Sequence, residues 1–241
     1  MKKLIEIKDL TIEKDTYKLL QSLSLDIYEG VNTFICGTCG SGKTLLLKAI
    51  AGQVKYKGHI VKNAKIEVVF DKNEFINHTI LEELNYEKLD DNQKKIVNKF
   101  ISKSTLNKKI NEVDIQNKKM VLICKSLINY PELLFVDNLF SYLNNKNLQK
   151  IYAYAKKNHI TLVNVSTNIE DALNYDYMVV LNQGSVAIEG KTLQVLEQEK
   201  ILKRLGIGLP FYVDLSIQLR LYGLIGHICL SKEELVCELW K

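Results

Sequence analysis

The sequence predicts an α/β fold: parallel strands and helices around a phosphate-binding loop, with an antiparallel β layer ahead of it, a helical insertion within it and a helical tail behind it. Three observations carry that prediction. Gly37-Thr38-Cys39-Gly40-Ser41-Gly42-Lys43-Thr44 is a complete G-x-x-x-x-G-K-[ST] loop. It stands between an apolar run, Thr33 to Cys36, and the helical run Leu45 to Ala51 closed by Gly52, which is the strand, loop and helix setting the motif requires. Further on, Pro131 introduces Leu133-Leu134-Phe135-Val136-Asp137, four apolar residues ending in a carboxylate, the form of a buried parallel strand.

The loop names a ligand, a nucleoside triphosphate. Its glycines let successive backbone N–H groups curl toward phosphate, and the following helix adds the positive end of its dipole. Lys43 then reaches the outer phosphates and the Thr44 hydroxyl ligates Mg²⁺. A strand that merely ends in Asp carries no such meaning alone; downstream of a phosphate loop, Asp137 points to the metal side of the site.

The remaining elements follow in order. Leu4 to Leu10 and Leu23 to Ile27 alternate apolar and polar residues, as half-exposed antiparallel strands do. From His78 the chain turns rich in lysine and asparagine with helical spacing, as in Thr79-Ile80-Leu81-Glu82-Glu83-Leu84, and predicts a helical insertion over about 78–130. Ile160 to Val165 and Tyr177 to Leu181 read as apolar strands, and Asn182-Gln183-Gly184-Ser185 turns the second into Val186-Ala187-Ile188. Past Gly190, Thr192 opens a helix containing Leu193, Leu196, Ile201, Leu202 and Leu205, and Ser231-Lys232-Glu233-Glu234 is a capping box before Leu235 to Trp240. The expected division is 1–190 for the nucleotide-binding domain and 191–241 for the tail.

Composition excludes several functions. At 241 residues, 46% hydrophobic and 25% charged, the chain can bury a sizeable core. No apolar run approaches a membrane span, and the alternating N-terminus suits a strand, so a cytoplasmic protein is expected. The net charge of +5 comes from scattered lysines, read as solvated faces, with arginine only at 204 and 220; no nucleic-acid partner is expected. Cys36 and Cys39 form a C-x-x-C without a second pair, which favours packing over zinc. The four histidines form no ligand cluster.

The order of these parts resembles the ATP-binding subunit of an ABC transporter over nearly the whole chain, so the resemblance implies a P-loop ATPase core that binds ATP with Mg²⁺. In that family a glutamine loop, an L-S-G-G-Q signature, a strand ending Asp-Glu, a D-loop S-A-L-D and a switch histidine follow the phosphate loop. The distances fit here while several residues differ. Asp-Glu is Asp137-Asn138, the D-loop is Ser141-Tyr142-Leu143-Asn144, the switch histidine is replaced by Thr167, and the glutamine after Val68-Val69-Phe70 is Asp71, placed by the resemblance near Mg²⁺. The spacing back from Pro131 sets the signature on Val113-Asp114-Ile115-Gln116-Asn117, and none of its residues is kept.

The resemblance gives these departures consequences. The signature caps a partner's ATP with backbone N–H groups, so Asp114, Ile115 and Gln116 are site residues here. Asp114 brings a carboxylate, which against a phosphate charge about 4 Å away costs on the order of 4 kcal/mol at an effective dielectric of about 20. At the catalytic-glutamate position, Asn138 can hydrogen-bond water but is no base, and losing a general base costs about 10² to 10⁴ in rate. Thr167 is too short for the work of a histidine at the γ-phosphate. Weak hydrolysis by the chain alone is expected. Leu209 to Ser216 and Glu233 to Trp240 are similar to the tails of energy-coupling-factor ATPases, paired ATP-binding subunits of vitamin and metal-ion importers, in which the tail joins the ATPase dimer. That likeness implies a second ATPase subunit and a transmembrane subunit as partners, and a place on the inner face of the cell membrane. Two other readings stand beside it: a hydrolysis-poor regulatory half of such a dimer, and a soluble ABC protein acting on ribosomes or DNA, which the lack of an arginine patch disfavours.

Overall fold

The computed structural model describes residues 1–14, 17–72 and 75–240. Among these residues the strands form two sheets. The first joins β1 (Lys3–Lys14), β2 (Tyr17–Tyr28) and β4 (Lys57–Lys62) in the order β2-β1-β4, antiparallel throughout. Alternation is visible in its burial: Ile5, Ile7 and Leu10 of β1 and Leu23, Leu25 and Ile27 of β2 are buried, with polar residues between them facing out. Both strands run beyond the limits that alternation set, and β4, with only Ile60 half-buried and the rest exposed, gave no alternating apolar signal.

The second sheet has the order β5-β6-β7-β3-β8-β9. It is built from β3 (Thr33–Gly37), β5 (Ile66–Val69), β6 (Leu133–Asp137), β7 (Thr161–Val165), β8 (Tyr177–Asn182) and β9 (Ser185–Lys191). Every pairing is parallel except β8 with β9, a hairpin whose Gln183 and Gly184 both take positive φ, as the tight turn predicted there requires. β3, β6 and β7 are buried at every position, the pattern of parallel strands covered on both faces. One face packs with α1 (Lys43–Ile50) and the antiparallel layer; the other packs with the helices that follow β5.

Those helices are α2 (Ile80–Glu83), α3 (Asp91–Phe100), α4 (Lys103–Leu106) and α5 (Ile115–Leu127). The first two carry reciprocal caps, Thr79 with Glu82 and Asp90 with Gln93. Past β6, α6 (Asn145–Lys157) leads into β7. In the tail the single helix expected from Thr192 to Leu205 is two, α7 (Thr192–Leu196) and α8 (Glu199–Arg204), broken at Glu197 and Gln198. The split lets Val195, Leu196 and Leu202 all reach the same core as β6. α9 (Phe211–Leu221) and α10 (Lys232–Leu239) complete the chain. The capping box expected at Ser231 is half formed: its hydroxyl accepts from Glu234 N, but the Glu234 carboxylate accepts from Leu230 N, one residue too early. Among the described residues no helix is long and apolar enough to cross a membrane.

Candidate nucleotide site

In a parallel sheet the carboxyl ends of the strands share one edge, and this is where open α/β folds bind ligands. Here the ends of β3, β5, β6 and β7 open on a cavity of about 700 Å³. Gly40 to Thr44 lie along it from β3, Asp71 from the end of β5, Asp137 and Asn138 from β6, and Ser166 and Thr167 from β7. Lys43, Thr44, Asp71, Asp137, Asn138 and Thr167 therefore meet at one place, while Asp114, Ile115 and Gln116, expected at the signature, lie elsewhere, at the start of α5.

The loop is shaped by tight approaches. Gly42, at φ +103°, forms the N-cap of α1, and a Cβ there would stand 2.5 Å from Leu20. A Cβ on Gly184, in the β8–β9 turn, would stand 2.5 Å from the Leu19 carbonyl. Gly184 N donates to Ser41 O, and Gln21 N donates to Gly184 O. β2, the phosphate loop and the hairpin are thus locked together.

Lys43 is half-buried, and its ammonium donates to Gly37 O at 2.6 Å, Thr38 O at 2.9 Å and Ser41 Oγ at 3.3 Å. Burial lowers its pKa, while the neighbouring Cys36, Cys39 and Asp137 act in the opposite direction. Thr44 Oγ1 donates to Asp137 Oδ2 at 3.1 Å. The Asp137 carboxyl is pushed up, by burial first, with the Thr44 hydrogen bond opposing and the charge of Asp71 adding. A threonine hydroxyl beside two carboxylates is an all-oxygen donor set, which suits a hard divalent cation such as Mg²⁺. Cys36 is buried, and burial pushes its thiol up to about 12; Cys39 is exposed in the loop.

Asn138 sits at φ +58°, the left-handed region that asparagine visits more readily than glutamate. Its N–H donates to Val165 O, its carbonyl accepts from Ser141 Oγ at 2.7 Å, and its side-chain oxygen accepts from Ser166 Oγ at the outer limit of 3.5 Å. Thr167 lines the same cavity.

The segment on which spacing sets the signature is bonded within its own chain. Asp114 is the N-cap of α5, accepting from Asn117 N at 2.7 Å and Asn117 Nδ2 at 3.0 Å. Gln116 Oε1 accepts from Asn144 N at 2.7 Å, tying the segment to the end of the D-loop. Ile115 is half-exposed beside them.

The sequence reading missed three residues of this region. Leu19 lines the cavity from the part of β2 that alternation did not reach. Lys119, taken with the other lysines as solvated, is buried and pairs with Asp71. Glu83, 1% exposed, pairs with Lys125 and accepts from Ile76 N and Asn77 N, holding the chain that leads from Asp71 into α2.

The ABC transporter family model matches residues 20–141, half of the chain, from within β2 through the phosphate loop to the residues after Asp137. The chain belongs to the ABC transporter family. It has the ATP-binding cassette domain of that family, and the matched stretch contains residues 40–44, which line the cavity. This ABC chain is 26% identical to an energy-coupling factor transporter ATP-binding protein of Pediococcus pentosaceus, over 100% of its own length and 97% of the relative's. It is 25% identical to the corresponding protein of Bacillus subtilis, over 98% and 96%. Among solved structures it is similar in fold to cbiO1 from Clostridium perfringens, part of the ABC transporter complex cbiONQ, with a TM-score of 0.71, 18% identity, and coverage of 86% of this chain and 95% of that one.

Proposed function

We propose that this chain is an ATP-binding subunit of an energy-coupling-factor type importer, one half of an ATPase dimer that sits on the inner face of the cell membrane and drives a transmembrane subunit. Lys43 beside the Thr44–Asp137 contact is the observation that carries ATP binding. The full-length likeness to energy-coupling-factor ATP-binding proteins supports the importer. In this reading the Lys43 ammonium leaves the Gly37 and Thr38 carbonyls for the outer phosphate oxygens, and backbone N–H groups of the loop take the inner ones. Thr44 and Asp137 would hold Mg²⁺, with Asp71 beside them, and the ion would supply neutralisation of the phosphate charge. Asn138 orients water through its amide without accepting a proton, and Thr167 supplies only a short hydroxyl. Residues 1–190 act as the ATP-binding domain. Residues 191–241 are the dimerisation segment, to which exposed Phe211, Leu221, Tyr222 and Trp240 offer apolar surface.

A second reading, a hydrolysis-poor regulatory half of a heterodimer, is favoured by the Asn138 amide at the base position and by Asp114 engaged as a helix cap. Calorimetry tests the nucleotide site: Lys43→Ala should weaken Mg-ATP at least tenfold, about 1.4 kcal/mol, and unchanged affinity would overturn it. Purification from native membranes tests the importer. A second ATPase and a membrane-spanning subunit are expected in stoichiometric amounts, and recovery free of any membrane protein would overturn it.

A further inference from the structure

Lys119 lies on α5, five residues beyond the Asp114 cap, with only 10% of its side chain exposed. Its ammonium is 2.6 Å from Asp71 Oδ1, donates to the Asp71 carbonyl at 2.6 Å, and lies 5.0 Å from the centre of the Tyr142 ring. A buried ammonium is costly unless paired, so these contacts fix where it can sit. Its partner is no ordinary surface acid. Asp71 lines the nucleotide cavity and lies near enough to Asp137 for the two carboxylates to repel. Without a counter-charge, Asp71 would add a second negative group at the place where a triphosphate enters.

We propose that Lys119 is a positioning residue for the nucleotide site: it holds Asp71 by Oδ1, cancels its charge toward incoming phosphates, and leaves Oδ2 for the metal side. The consequence is that the pair sets how strongly nucleotide binding depends on Mg²⁺. This rests on the ATP-binding reading above. A role in packing alone makes a different prediction, because then either partner's loss would loosen the site and weaken binding. Charge cancellation demands opposite signs. Removing Lys119 leaves an unbalanced carboxylate, which repels phosphate; neutralising Asp71 leaves an unbalanced ammonium, which attracts it.

The test is a set of dissociation constants for ATP, in EDTA and in excess Mg²⁺, for the wild type, Lys119→Met, Asp71→Asn and the double variant. In EDTA, Lys119→Met should bind at least about tenfold more weakly, Asp71→Asn about threefold or more tightly, and the double variant should return to within about threefold of wild type. In Mg²⁺ the Lys119→Met loss should shrink, because the cation supplies the missing positive charge. Lys119→Arg should remain near wild type in both media. Single variants that shift affinity in the same direction, or a double variant that fails to recover, would overturn the proposal. Should Lys119→Met not fold, Asp71→Asn decides alone: unchanged or weaker binding in EDTA overturns it. A wild type that binds no ATP even with Mg²⁺ overturns both this and the ATP-binding reading, whereas a wild type that binds with a flat cycle overturns only the role of Lys119.

Discussion

The phosphate loop and the start of α5 are both helix N-termini preceded by short loops, yet they use their polar groups in opposite ways. Around Gly37 to Thr44 the chain gathers an ammonium, a hydroxyl and a carboxylate at one cavity, and Lys43 rests on carbonyls it can exchange for phosphate oxygens. At Asp114 to Asn117 the Asp114 carboxylate, the Gln116 amide oxygen and the Asn117 N–H are already bonded within the chain, to Asn117, Asn144 and Asp114. On the proposed reading, holding a nucleotide and capping a partner's nucleotide are separable properties, and the two helix starts separate them.

The largest effect that could break this contrast is in turnover. The purified chain should release phosphate very slowly, and Asn138→Glu with Thr167→His should recover little, since both sites of a homodimer would keep the Asp114 segment. Glutamate at 138 must also take the left-handed backbone now held by asparagine, at about 1–2 kcal/mol. Adding Asp114→Ser, Ile115→Gly and Gln116→Gly should raise steady-state phosphate release by considerably more than the two-residue change, because base catalysis, worth about 10² to 10⁴, needs a closed site. Brisk hydrolysis by the unmodified chain would end the contrast.

Thiol labelling reads the intact half. Cys39, exposed in the loop, should react with a maleimide at least about 100-fold faster than buried Cys36, and saturating Mg-ATP should slow it about tenfold or more. Equal labelling rates with and without nucleotide would place the phosphates elsewhere.

The smallest effect sharpens the other half. Asp114→Ala should cost about 1 kcal/mol in denaturant unfolding, while Asp114→Ser, which can still cap the helix, should cost only a few tenths. If Asp114→Ala is neutral, the carboxylate is not held by α5 and is free to face a partner.

Much of the fold was legible because its signals are local. The phosphate loop announces itself by composition, and buried parallel strands such as Leu133 to Asp137 announce themselves by uninterrupted apolar runs. β4 was not legible, since its Lys-Gly-His-Ile-Val-Lys sequence is recruited by pairing with β1 and buries almost nothing of its own. The tail helix was read as continuous because its apolar spacing runs across Glu197 and Gln198; the break serves packing against the core, a tertiary demand with no local mark. Lys119 was hidden by its neighbours: in a stretch full of solvated lysines, only the fold reveals which one turns inward to Asp71. The capping role of Asp114 was not legible either, although Asp before a helical run is a standard start signal, because Asp114 falls where the spacing back from Pro131 sets the signature.

The lock between Gly184, Ser41 and β2 makes the eight-residue loop a poor guide to where its own shape comes from. Three stretches far apart along the chain, around residues 20, 41 and 184, must already be in register before the loop can close on an anion. A fragment carrying the motif but lacking the hairpin would keep the letters and lose the cradle. The shape of the loop therefore belongs to the assembled sheet, because the β8–β9 turn and β2 both press on it.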